Sequence, residues 1–147
     1  MKMLNKLSKY SDWSLVLLRI GIGVIFLVHG LGKLLSIGPY AAGIGGTAGY
    51  LASLGIPAAL FFAWILALVE TFGGLFILAG FLTRYAAAAI AIEMIVAIIL
   101  VHLPKGFSVL NGGYEFPLLI LLGAIALVLS GAGNKLVLEK KLFQKEF

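Results

Sequence analysis

Four long apolar runs, separated by short breaks rich in glycine, proline and asparagine, constrain this chain more than any other feature. They cover roughly residues 13–35, 57–79, 84–103 and 114–130. Each is close to the ~20 residues that a helix rising 1.5 Å per residue needs to cross ~30 Å of hydrocarbon. A helix satisfies its own backbone hydrogen bonds, as lipid requires. The short alternating strands of a membrane barrel are missing from the sequence. The expectation is an all-α integral membrane bundle of four transmembrane helices. Composition agrees: 62% of residues are hydrophobic and the mean hydropathy is +1.13, more apolar side chain than a soluble domain of this length can bury.

The breaks carry their own signals. Pro57 suits a first helical turn, where its missing N–H costs nothing. Gly80 and Thr83 mark a turn, Pro104 through Gly113 mark another, and Gly131 and Gly133 end the last span. Lys2, Lys6 and Lys9 precede the first apolar run as a signal peptide would have them. The run is too long for an h-region of roughly 7–15 residues, so it is expected to stay as an uncleaved span. Lys2, Lys6, Lys9, Arg84, Lys135, Lys140, Lys141 and Lys145 fall on one side of the membrane, Lys33 and Lys105 on the other. The positive-inside rule then places a multi-pass protein in the plasma membrane with both termini cytoplasmic. The domain reading is a tail at 1–12, a four-helix unit at 13–131 and a basic tail at 132–147. The uncharged 36–56 loop suits the outer surface, with a short helix from Thr47 to Leu54. The net charge of +5 lies in tails and turns, so it reads as topology and not as a nucleic-acid surface. With no cysteine the chain has no disulfide, thiolate metal site or iron–sulfur cluster of its own.

Ionisable residues inside the spans carry the functional information. Arg19, His29, Lys33, Glu70, Glu93, His102 and Glu115 lie within them or at their ends. Each charge at mid-membrane costs about 2.5–3.5 kcal/mol on insertion scales, so these groups should face inward and pair. Counted from the span ends, Arg19, Glu70 and Glu93 are expected to form an inner cluster, and His29, Lys33, His102 and Glu115 an outer one. The bland reading of the first is an ion pair that fixes helix register. One arginine cannot neutralise two carboxylates, however, and a neutral buried acid is a ready proton donor. The bland reading of the second is hydrated groups near an interface. Their convergence from several spans suggests instead a site for a polar ligand. No ligand pattern flanks the two histidines, so neither haem nor metal is expected at His29 and His102.

Residues 43–48, Gly-Ile-Gly-Gly-Thr-Ala, fit a dinucleotide fingerprint formally. No strand precedes them and they fall outside the cytoplasm, so the match is set aside. Gly21, Gly23 and Gly30 on the first span, with Gly73, Gly74 and Gly80 on the second, read as close helix-packing surfaces.

Leu18-Arg19-Ile20-Gly21, Phe26 and His29-Gly30-Leu31-Gly32-Lys33 together resemble the first span of DoxX-family membrane proteins. Val69-Glu70-Thr71-Phe72-Gly73-Gly74, running on to Gly80-Phe81-Leu82-Thr83-Arg84, resembles the family's second span and following turn. His102, Phe107 and Asn111-Gly112-Gly113-Tyr114-Glu115 resemble its outer hairpin. Gly131-Ala132-Gly133 resembles its closing Gly-Pro-Gly with alanine for proline, and Glu93 falls outside the pattern. The resemblance implies a four-helix membrane protein described as an oxidoreductase or a subunit of one. Some relatives are linked to quinones, among them subunits of thiosulfate:quinone oxidoreductase and quinone-stress proteins.

The leading expectation is a quinone-linked membrane oxidoreductase or its membrane subunit. Arg19, Glu70 and His29 would handle protons. Lys33, His102 and Glu115 would bind the ligand, with Phe26 and Phe107 as ring contacts. A quinone is the candidate cofactor, and electrons would have to come from a soluble or membrane redox partner. Homo-oligomerisation and lipid contact are expected; nucleic acid is not. Two other classes remain open: a non-enzymatic membrane anchor or assembly factor, and a small proton-coupled carrier.

Overall fold

The computed structural model describes residues 10–143. Lys2, Lys6, Lys9 and Lys145, used above for orientation, lie outside the described residues. The described chain is helical without a strand. Helix α1 is Asp12–Leu34, α2 Gly43–Ser53, α3 Ala59–Ala79, α4 Thr83–Ala97, α5 Glu115–Ser130 and α6 Leu138–Phe143. α4 continues through a wide π turn at Ile98–His102 and a tight turn at Leu103–Lys105. Three helical stretches, Asp12–Leu34, Ala59–Ala79 and Thr83–Lys105, are long and apolar enough to cross a membrane. α5 is a shorter apolar helix of 16 residues.

The exterior confirms lipid as the solvent. Leu17, Phe61, Phe72, Ile92, Leu119 and Leu129 all point outward, a surface that water would not tolerate at this density. Inside, small side chains let the helices approach. Ala63, Ala67, Ala87 and Ala124 have no exposed area. α1 and α3 make the most extensive helix contact in the bundle, with α4 against α5 next. A Cβ on Gly74 would strike the backbone of Leu27 and Gly23, and one on Gly30 the backbone of Thr71. Gly73 contacts Ile90 of α4, whereas Gly21 meets nothing. The glycine surface expected on the first span is therefore carried by Gly23 and Gly30.

That packing fixes a register: residue 30 of α1 lies beside residue 71 of α3. α1 therefore ends well short of the outer end of α3. The space beyond it is filled by the 35–42 loop and α2, which packs along α3. α2 begins at Gly43, before the expected Thr47, whose hydroxyl instead donates back to the Gly43 carbonyl at 2.8 Å. Pro57 also falls outside its helix. Ala58 takes a left-handed φ of 51°, and α3 starts at Ala59.

At the end of the bundle that carries the termini, α3 stops at Gly80, whose φ of 65° needs no side chain. Residues 131–143 do not trail away. They fold back over this end, with α6 against the 80–82 turn, where Leu82 N–H donates to Glu139 Oε2 at 2.8 Å. Arg84 donates to the Val128 and Leu129 carbonyls at 2.6 and 2.8 Å, closing the C-terminus of α5. A cation there also complements the negative end of the helix dipole.

Candidate functional site

The buried charges do pair, but in different groups from those that depth alone suggests. Arg19 is 1% exposed, and all of its guanidinium donors are taken by carbonyls. Nε donates to Ile77 at 2.8 Å and Nη2 to Leu78 and Leu136 at 2.9 and 2.7 Å. Nη1 donates to Ala132 and Lys135 at 3.1 and 3.0 Å. A guanidinium has five N–H groups, so none is left for a carboxylate. Arg19 ties the last turn of α3 to the returning 132–136 segment. Its nearest acidic influence is Glu139, fully buried on α6. The expected Arg19–Glu70–Glu93 cluster does not form.

Glu70 is instead paired with Lys33, Oε2 to Nζ at 2.5 Å. Two physical reasons separate Arg19 from Glu70 and bring Lys33 in. The Gly30–Thr71 register puts Glu70 level with residue 31, about half a helical turn from Lys33 and about three turns from Arg19. Helical side chains also lean toward their own N-terminus. On α1 that carries Arg19 toward the terminal end of the bundle and Lys33 inward. On the antiparallel α3 it carries Glu70 outward, to meet Lys33. Counting residues from span ends placed Arg19 and Glu70 at similar depth and missed both this register and the tilt of the side chains.

Glu93 of α4 completes the group. Its carboxyl lies within hydrogen-bonding contact of Glu70 and in the field of Lys33. Its Oε2 is buried and has no partner among the described residues. His29, one turn before Lys33, feels both Glu70 and Lys33. Its ring stacks on Tyr40 of the 35–42 loop, with centroids 3.8 Å apart and planes within 19°. The Tyr40 carbonyl is seated against Gly32, where a Cβ would collide with it. His29, Lys33 and Tyr40, together with Thr47 and Tyr50 of α2, line a cavity of about 480 Å³.

The remaining candidates lie elsewhere. Phe26 is 3% exposed and belongs to the core with Ile22, Ile77 and Ile90. His102 Nδ1–H donates to the Gly112 carbonyl at 2.7 Å. Glu115 Oε2 accepts from Val109 N–H at 3.0 Å. Phe107 meets Tyr114 edge-on at 5.4 Å. These contacts organise the hairpin between α4 and α5, and none of the four residues lines the cavity. Thus His29 and Lys33 separate from His102 and Glu115, and the two histidines are held by different partners.

Sequence reasoning missed Glu139, Tyr40 and the closeness of Glu93 to Lys33. Glu139 had a signal: a buried arginine needs carbonyls or a counter-charge, and the sequence "tail" supplied both. Tyr40 had none, because a loop tyrosine is placed by the fold of its loop.

A polytopic, all-helical membrane protein with a polar centre opening into a cavity is the class these features define. The chain belongs to the DoxX family, whose model matches residues 14–103. It is 36% identical to a Bacillus subtilis protein named "Putative oxidoreductase CatD" over 126 residues, 86% of this chain and 85% of that one. An uncharacterised membrane protein of Mycobacterium tuberculosis is 35% identical over 134 residues, covering 82% of this chain and 77% of its own. An uncharacterised protein of Haemophilus influenzae is 33% identical over 146 residues, covering 97% of this chain and all of its own, 100%. No solved structure matches the chain.

Proposed function

We propose that this protein is a quinone-linked membrane oxidoreductase, or the membrane subunit of one, in the plasma membrane with both termini cytoplasmic. The observation that carries the reading is the cavity of about 480 Å³ walled by His29 and Lys33, with the Lys33–Glu70 pair directly behind it. Its volume is within the range of small-ligand sites, roughly 300–1,000 Å³. Quinone carbonyl oxygens only accept hydrogen bonds, and His29 and Lys33 are donors. Tyr40 and Tyr50 add flat apolar faces. The relative named as an oxidoreductase supports the same reading. The orientation rests on Arg84, Lys135, Lys140 and Lys141, which gather at the terminal end of the bundle.

Reduction of a quinone to a quinol takes up two electrons and two protons. A partner dehydrogenase is the electron donor in this proposal. Lys33 and His29 orient the ligand oxygen, and Glu70 holds the Lys33 ammonium in place. Arg19 acts at a distance, by holding the end of α3 on which Glu70 stands. Titration calorimetry of the purified protein with a short-chain quinone tests this. Saturable binding weakened about tenfold or more in His29→Ala, with an unchanged helical spectrum, is the expected result. Absence of binding by folded wild type, or affinity untouched by His29→Ala, would reject a quinone site in this cavity.

A further inference from the structure

Glu93 has a geometry that neither helix packing nor ligand positioning explains. It stands on α4, between Ile92 and the exposed Ile95 and Val96, on a helix turned largely toward lipid. Its carboxyl reaches inward to Glu70. One of its oxygens is buried without a partner among the described residues. Lys33 is the cation of the group, and its Nζ is already bonded to Glu70. Arg19 is committed to five carbonyls. Two carboxyl groups and one ammonium reach electroneutrality only when one carboxyl keeps a proton. A hydrogen bond between two carboxyl groups requires that same proton. An ionised, unpaired carboxylate at this depth is costly in a membrane.

We propose that Glu93 is the proton store of the cavity: it holds a proton shared with Glu70 and passes it, through Glu70 and Lys33, to an oxygen of the bound ligand. The links are consecutive. Glu93 contacts Glu70, Glu70 holds Lys33 Nζ, and Lys33 lines the cavity. When Lys33 gives a proton to the ligand oxygen, the proton from Glu93 moves to Glu70 and on to Lys33. The ammonium and the Glu70 carboxylate are then restored, Glu93 is left as carboxylate, and the ligand has gained one O–H bond. The transfer to ligand rests on the quinone reading above. The shared proton does not.

Infrared spectroscopy at neutral pH, in a maltoside detergent that has no carbonyl of its own, separates the two claims because it needs no quinone. Wild type should show a carboxylic-acid C=O band that shifts in deuterium oxide. Glu93→Gln should remove that band. Glu70→Gln should remove it as well, because Glu93 then ionises against Lys33. No such band in wild type, or a band that survives Glu93→Gln, overturns the proposal. A band that survives Glu70→Gln overturns it too, since it would mark Glu93 as an isolated neutral acid that shares nothing.

Discussion

Arg19 and Glu70 are both buried in the membrane-spanning part of the bundle, and they are satisfied in opposite ways. Every donor of Arg19 meets a backbone carbonyl, drawn from two chain segments far apart in sequence. Arg19 does not line the cavity bordered by His29 and Lys33. Glu70 sits in a group that has one unpartnered oxygen, on Glu93, and whose lysine borders open space. A saturated charge resists change, because any movement leaves several buried polar groups unpaired at about 1–3 kcal/mol each. An unsaturated group beside a cavity can exchange partners and protons. The first arrangement suits a clamp and the second suits chemistry.

If Arg19 is a clamp, its loss should give the largest change in stability. Arg19→Ala should lower the unfolding free energy by about 3–5 kcal/mol, the usual cost of breaking a buried charged network. Thermal unfolding in detergent, followed by circular dichroism, reads this. Arg19→Lys should recover only part of it, because an ammonium has three donors on a point charge. Full recovery would show that charge alone matters and would blur the contrast between the two centres.

The helix seam should come next. Gly74→Val places side-chain atoms where the backbone of Leu27 and Gly23 now lies. It should destabilise by about 1–3 kcal/mol and weaken ligand binding too, since the same seam sets the Lys33–Glu70 register. Glu139→Ala removes the acceptor of the Leu82 N–H at the start of α4 and should cost about 1–2 kcal/mol. Ligand affinity should not change. An affinity loss in this variant would mean that the two ends of the bundle are coupled. The smallest effect on stability is expected from His29→Ala, which forfeits one ring stack worth about 0.5–1.5 kcal/mol while removing a wall of the cavity.

Much of this was legible in the sequence. Apolar runs and their glycine breaks located the helices within a few residues, because lipid leaves the backbone no other choice. Inward-facing charges were also legible, since the penalty for exposing Arg19 or Glu70 to hydrocarbon is independent of topology. Which charge meets which was not. Partner choice depends on the Gly30–Thr71 contact, on the tilt of each side chain and on α1 ending below α3, none of which periodicity encodes. Glu93 illustrates the limit: its depth was readable, but its position between lipid and Glu70 follows only from the rotation of α4. The C-terminal segment shows the same limit in reverse. Its basic composition reads as a tail, yet its carbonyls are what Arg19 requires.

The most direct test of the division of labour is calorimetric quinone binding by Glu70→Gln, with its thermal midpoint measured on the same sample. The account predicts a fold that survives, because Glu93 can pair with Lys33 in place of Glu70, together with a loss of affinity of about ten-fold or more, because that new pair draws the Lys33 ammonium off the ligand oxygen and forfeits a charged hydrogen bond. Unchanged affinity in a stable Glu70→Gln protein would contradict it, and would leave the Lys33–Glu70 pair as a second structural clamp.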